Sequence, residues 1–271
     1  MPTATRRPWL RTAFGILVIA VMLFPVYWMV NASLQPGGNT LDATWFPAQP
    51  SLEGYRTAVA RQGSYLVNSV VIALGSVVVS LLVATPAAYG LAQLRIRFAP
   101  AVIFGILVTQ MVPGIVVANA LYSAYNDLGM LNSMIGLILA DATAGIPFAI
   151  LVMRSFMIGI PKELTEAARV DGASRFRAFR SVIVPVSRNA LITAALFTFL
   201  FTWSDFLFAL TLTTDESVRP ITLGIYQYIG ANTNQWNAIM ATTVLASIPA
   251  AILLVTAQRF IAAGTTGGAV K

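Results

Sequence analysis

Residues 166–185 read Glu166-Ala167-Ala168-Arg169-Val170-Asp171-Gly172-Ala173-Ser174-Arg175-Phe176-Arg177-Ala178-Phe179-Arg180-Ser181-Val182-Ile183-Val184-Pro185, a charged, Arg-rich island in an otherwise apolar chain. Just upstream, Pro161 suits the first turn of a helix, where its missing N–H costs nothing. Glu163 and Glu166 lie near that start, where the helix dipole favours negative charge. Asp171-Gly172 reads as a stop, because glycine accepts the left-handed conformation of a C-cap. Ser174 suits the cap of a second short helix. There Phe176, Phe179 and Ile183 recur at i, i+3 and i+7 on one face, with Arg175, Arg177 and Arg180 off it. Pro185 breaks the pattern and introduces the next apolar segment. The predicted local structure is two short helices at a membrane surface with an elbow at Gly172, the first kept slim by Ala167 and Ala168. A basic loop lying on anionic lipid accounts for the arginines. It does not account for the spacing of the glutamate, the alanine pair and the glycine.

On either side of the island the chain is built for lipid. Of its 271 residues 57% are hydrophobic and only 10% charged, against about 25% charged in a soluble domain; mean hydropathy is +0.76. The net charge of +7 sits between greasy segments and not on one domain, which argues against nucleic acid. The absence of cysteine and histidine removes disulfides, thiol nucleophiles, histidine metal sites and Ser-His-Asp triads together. Six segments approach the roughly 20 apolar residues that cross a bilayer, at about 12–33, 66–93, 100–123, 130–153, 187–212 and 238–258. Backbone polar groups in lipid must be satisfied internally, so these are helices. The predicted fold is an all-α membrane protein of six transmembrane helices, with residues 1–11 as a cytoplasmic N-terminus and 154–185 as a cytoplasmic loop. The first segment follows Arg6, Arg7 and Arg11, and its apolar run is longer than that of a signal peptide, so it is expected to stay as an anchor.

With the N-terminus inside, Arg6, Arg7, Arg11, Arg95, Arg97, Arg154, Lys162, Arg169, Arg175, Arg177, Arg180, Arg188, Arg259 and Lys271 are cytoplasmic, and only Arg56, Arg61 and Arg219 are outside. This is a strong positive-inside bias, and it predicts both termini in the cytoplasm. Outside, residues 34–64 are punctuated by Pro36, Gly37, Gly38, Pro47, Pro50 and Gly54, and residues 213–235 form a polar, aromatic connector. Trp45 and Trp236 suit the interface belt.

Glu166-Ala167-Ala168, Gly172 four residues on and the closing Val182-Ile183-Val184-Pro185 resemble the EAA motif of bacterial ABC importer permeases, whose usual ending Ile-x-Leu-Pro is varied here at Val182 and Val184. Asp171-Gly172-Ala173, Thr202-Trp203-Ser204-Asp205-Phe206 and the C-terminal Gln258-Arg259-Phe260 with Gly264 and Gly267-Gly268-Ala269-Val270-Lys271 resemble the carbohydrate, maltose-transporter branch; Ser204 departs from an asparagine common there. The resemblance implies a non-enzymatic permease subunit in the bacterial inner membrane. Its EAA helix, between the fourth and fifth spans, would dock in a partner ATPase through Leu164, Glu166, Ala167, Ala168, Arg169, Asp171, Gly172 and Phe176. It further implies a second permease in a heterodimer, two ATPase subunits that hold ATP and magnesium, and an extracytoplasmic sugar-binding protein that the 213–235 loop could probe. The chain itself has no G-x-x-x-x-G-K-[ST] phosphate loop and is expected to bind no cofactor.

Asp141 and Asp205 are the acids inside predicted spans, where an ionisable side chain usually faces the bundle interior or water. Together with Trp203 and Asn119 they are candidates for the substrate path, by hydrogen bonds to sugar hydroxyls and by stacking; the alternative is that either acid stands near a helix end. Met111-Val112-Pro113-Gly114 marks a possible break in the third span, and Pro147 a possible kink in the fourth. Rival readings are a proton-coupled secondary carrier using Asp141 or Asp205, a membrane scaffold without flux, and an importer of a glycerol phosphate or an amino sugar.

Overall fold

The computed structural model describes residues 8–36, 44–94, 96–231 and 235–266. Arg6, Arg7, Arg95, Gly37, Gly38, Asn232, Asn234 and the final Gly267–Lys271 lie outside these described residues. Helices α1 (Pro8–Ser33), α2 (Glu53–Gln93), α3 (Ala99–Thr109), α4 (Gly114–Leu128) and α5 (Met134–Met157) precede the island. The island holds α6 (Glu163–Val170), α7 (Arg175–Ala178), a π-helical turn at Phe179–Ile183 and α8 (Val184–Val186). After it come α9 (Arg188–Trp203), α10 (Leu207–Leu212), α11 (Ile221–Ala231) and α12 (Trp236–Thr266). No strand occurs among the described residues. Among the described residues four helices are long and apolar enough to cross a membrane, and up to six spans result if each of two bent pairs counts as one.

The chain forms two compact units. In the unit of Met1–Gly63 with Ile225–Ile248, α1 is apolar all round and exposed along most of its length, as a lipid-facing helix must be. Phe24, Trp28 and Trp45 cluster with ring centroids 5.8–6.2 Å apart, and the Tyr27 hydroxyl donates to the Trp45 carbonyl. The Ser33 and Tyr55 hydroxyls are 2.8 Å apart. Arg61 stands over the Tyr228 ring.

The unit of Ser64–Gly224 with Pro249–Lys271 holds the island and both membrane acids. Its α2 and α5 lie close because their facing residues are small. Ser76 donates to the Ile138 carbonyl at 3.0 Å and Ser80 to the Ala142 carbonyl at 3.5 Å. Small residues of this kind let membrane helices approach and hydrogen-bond. Gly145 permits the crossing of α5 with α9: a Cβ there would sit 2.6 Å from Thr198 Cγ2 and 3.0 Å from Ser80 Oγ. Below the crossing, Ala84, Ala88, Ala149, Met153, Met157, Ile183 and Ala194 form the main apolar core.

Several elements differ from the sequence expectation. The possible break at Met111-Val112-Pro113-Gly114 is present and sharper than a kink: α3 and α4 meet at 91°, where Pro113 lacks an N–H and takes an extended backbone (φ −58°, ψ 131°). Helix α2 begins at Glu53 within the stretch expected to be turns, and its 41 residues extend about 60 Å, twice the hydrocarbon thickness. Residues expected as a polar connector contain α11, held by the buried Ile221, Leu223 and Tyr228. The fifth span stops at Trp203 and restarts at Leu207. Pro147 leaves α5 continuous.

Candidate functional site

Two places gather the residues singled out from the sequence. The first is the island. Pro161 lies just ahead of α6 and not in its first turn; its carbonyl accepts from Leu164 N at 3.3 Å. Glu163 and Glu166 occupy the first turn and Arg169 the last, the arrangement that the helix dipole favours. The helix then closes in a Schellman motif: Ala173 N donates to the Ala168 carbonyl at 2.9 Å and Gly172 N to the Arg169 carbonyl at 3.1 Å. Gly172 has φ +84°, a backbone that costs an L residue about 1–2 kcal/mol. The chain emerges at Ser174, whose Oγ accepts from Arg177 N at 3.2 Å and so caps α7. The π-helical turn follows, then Pro185 at the start of α8, and at Ser187 the chain bends by 75° into α9.

This elbow has a seated side and a free side. Ala178 and Ile183 are buried, and Phe179 packs on Tyr89 with ring centroids 5.1 Å apart. Phe176 does not share that seat as its spacing suggested: it is 71% exposed, because α7 is a single turn that ends before the chain reaches the core. Glu166, Ala167, Arg169, Asp171 and Gly172 are exposed, Ala168 is half-buried and Leu164 is exposed next to them. Among the described residues no salt bridge engages the elbow's acids or arginines. The free side therefore offers charge without salt bridges among the described residues, around exposed Leu164, Val170 and Phe176.

The second place is a narrow cleft lined by Ser69, Ile72, Leu137, Asp141, Thr202, Asp205, Ala209 and Pro220, with room on the order of one water molecule. The fold brings Asp141 and Asp205 together here. Asp141 is buried in the first half of α5. Asp205 stands in the break between α9 and α10, and its carboxylate accepts from Phe208 N at 3.4 Å and Ala209 N at 3.1 Å. It thus serves as the cap that restarts the helix, while Thr222 donates to its backbone carbonyl at 2.6 Å. Trp203 and Asn119 do not line this cleft. Trp203 stacks on Phe199 at 5.2 Å and 14° inside an apolar cluster with Ala73, and Asn119 is exposed on α4. Ser69 and Thr202 were not picked from the sequence. Thr202 stood in the quoted Thr-Trp-Ser-Asp stretch, whereas nothing local distinguishes Ser69 from its neighbours. No group of three or more acid, cysteine or histidine side chains that could hold a metal occurs among the described residues.

Outside the spans, Asn132 (φ 56°) joins two loops. Its Oδ1 accepts from Thr214 N at 2.6 Å and Asp215 N at 3.2 Å, and its Nδ2 donates to Thr214 Oγ1 at 2.8 Å. The Ser217 hydroxyl and N–H both donate to Asp215 and hold its carboxyl below the usual carboxylate range.

The sequence pattern of the family described as binding-protein-dependent transport system inner membrane component matches residues 84–267, a stretch that contains the whole elbow and both cleft acids. The chain is 34% identical to the diacetylchitobiose uptake system permease protein of Streptomyces coelicolor, over 98% of this chain and 97% of that one. It is 33% identical to the trehalose transport system permease protein of Mycobacterium tuberculosis, over 94% of each. Its fold is similar to a chain of a bacterial ABC transporter involved in the import of the acidic polysaccharide alginate, with a TM-score of 0.80, 23% identity and coverage of 96% of this chain and 99% of that one.

Proposed function

Because the chain belongs to the family of inner membrane components of binding-protein-dependent transport systems, we propose that it is the permease subunit of an ATP-binding-cassette importer that moves a carbohydrate across the bacterial cytoplasmic membrane. The relatives named for diacetylchitobiose and trehalose uptake support the sugar class. The mechanism is alternating access: a partner ATPase dimer closes on ATP and biases the permease between two arrangements. The elbow transmits that closure. Residues 154–185 lie on the cytoplasmic side, in line with the positive-inside bias, and both termini share that side.

The observation that carries this reading is the free side of the elbow. A short helix locked by Gly172 exposes Glu166, Ala167 and Arg169 with no ion-pair partner among the described residues. Leu164, Ala168, Asp171 and Phe176 complete the contact. The chain hydrolyses nothing itself; ATP and magnesium belong to the two ATPase subunits. The remaining partners are a second, different permease and an extracytoplasmic sugar-binding protein. Asp141 and Asp205 border the path, with Asp205 chiefly shaping the helix break. That commitment of Asp205 to two backbone amides disfavours a proton-driven carrier that cycles it.

The test is a gentle detergent pull-down of the tagged chain from cells expressing its genomic neighbours. It is expected to recover a second permease and an ATPase. Gly172→Asp is expected to stay in the membrane while uptake is lost. A lone chain without ATPase activity, or near-normal uptake in the variant, would falsify the coupling role.

A further inference from the structure

Two residues one turn apart on α2 grip the elbow from opposite ends. Gln93, the last residue of α2, points its amide at the end of α5: Nε2 donates to the Met157 carbonyl at 2.5 Å and to the Ile160 carbonyl at 2.9 Å. Both amide hydrogens are thereby used. Carbonyls at a helix C-terminus run short of intrahelical donors; the Met157 carbonyl also accepts from Ile160 N at 3.3 Å, and Gln93 adds a side-chain donor to it and to the Ile160 carbonyl, both residues being buried. Tyr89, four residues earlier and therefore on the same face, packs its ring on Phe179 at 5.1 Å, where the π-helical turn begins. Gln93 thus holds the chain just before it enters α6, and Tyr89 holds it as it leaves α7.

The covalent path gives this grip its meaning. Helix α5 leads into the elbow and α9 leads out, so both follow its movement through the backbone. Helix α2 has no such connection. It is joined to the elbow region by the Gln93 amide, the Tyr89 ring and the apolar core to which it brings Leu81, Ala84, Ala88 and Leu91. Apolar packing is non-directional, whereas two hydrogen bonds to named carbonyls fix distance and angle.

We propose that Tyr89 and Gln93 are positioning residues that make α2 move as one body with the coupling elbow. The proposal rests on the importer reading above. The chain has no native cysteine, which allows spin labels at Leu94→Cys and Lys162→Cys, both exposed, in the complete complex with its ATPase and partner permease. The label-to-label distance is measured without nucleotide and after trapping with ATP and vanadate.

With native Tyr89 and Gln93 the two states are expected to give the same single distance. Gln93→Glu has the same shape but offers two acceptors to two carbonyls, and Tyr89→Ala removes the ring. Each is expected to shift or split the distribution on trapping, while Tyr89→Phe keeps the native behaviour. A side chain that merely aids folding would lower the yield of complex without a state-dependent distance. The variants act on opposite ends, so either one that assembles decides. Unchanged distances in a trapped, ATP-hydrolysing complex of either variant overturn the grip and leave the importer reading standing. A native complex without any ATPase overturns both.

Discussion

The elbow at Gly172 and the cleft at Asp141 treat charge in opposite ways. The elbow leaves its acids and arginines exposed and without salt bridges among the described residues, and its shape is fixed by backbone closure at Ala168, Arg169 and Gly172. The cleft buries Asp141, half-buries Asp205 and commits Asp205 to holding a helix end. Uncommitted charge on a rigid support is what a docking surface needs, because its groups are desolvated only when a partner supplies replacements. Committed charge inside the membrane serves the permease's own shape first. The comparison therefore separates a region whose charge is left exposed, as the proposed coupling role requires, from one whose charge arranges this chain.

Substitutions at four positions break or sharpen that separation. The largest effect is expected from Gly145→Leu at the α5–α9 crossing, where the added side chain meets Thr198 and Ser80; overpacking costs about 1–3 kcal/mol or more, read as a lower unfolding temperature in detergent. Gly172→Val comes next. A β-branched residue at φ +84° costs roughly 1–2 kcal/mol, or about 5–30-fold in the population of the closed elbow, and uptake should fall accordingly while unfolding of the membrane body changes little. A matching drop in both quantities would erase the distinction between elbow and body.

Asp205→Ala should cost about 1 kcal/mol through loss of a helix cap, and Asp205→Asn much less, because asparagine caps as well as aspartate. If thermal stability responds to Asn as strongly as to Ala, the charge and not the cap matters, and the cleft moves nearer to the substrate path. Phe176→Ala has the smallest effect on folding, within about 0.5 kcal/mol for so exposed a side chain, yet it should weaken retention of the ATPase in a pull-down. Unaltered retention would remove Phe176 from the docking surface.

Much of the elbow was legible because its determinants are local. Gly172, Ser174 and the first-turn glutamates act on backbone groups within a few residues, and the structure has the left-handed glycine and the Ser174 cap where the sequence puts them. Phe176 was misplaced because periodicity assigns a face without saying where the core ends. The cleft was half legible: a lone acid in an apolar run invites attention, but Asp205's duty as a cap depends on where α9 stops. Trp203 looked available for stacking only because its partner Phe199 cannot be told from any other apolar residue on the same helix.

By itself, then, the sequence determined the membrane class, the all-helical backbone and the elbow, since hydrocarbon solubility, internal hydrogen bonding and glycine's conformational range are properties of residues and their near neighbours. Tertiary structure alone decided the 91° bend at Pro113, the meeting of Asp141 with Asp205, the burial of Trp203 and the grip of Gln93 on the end of α5. A proline permits a bend but neighbouring helices set its angle, and an amide with two donors finds its carbonyls only once separate helices have packed.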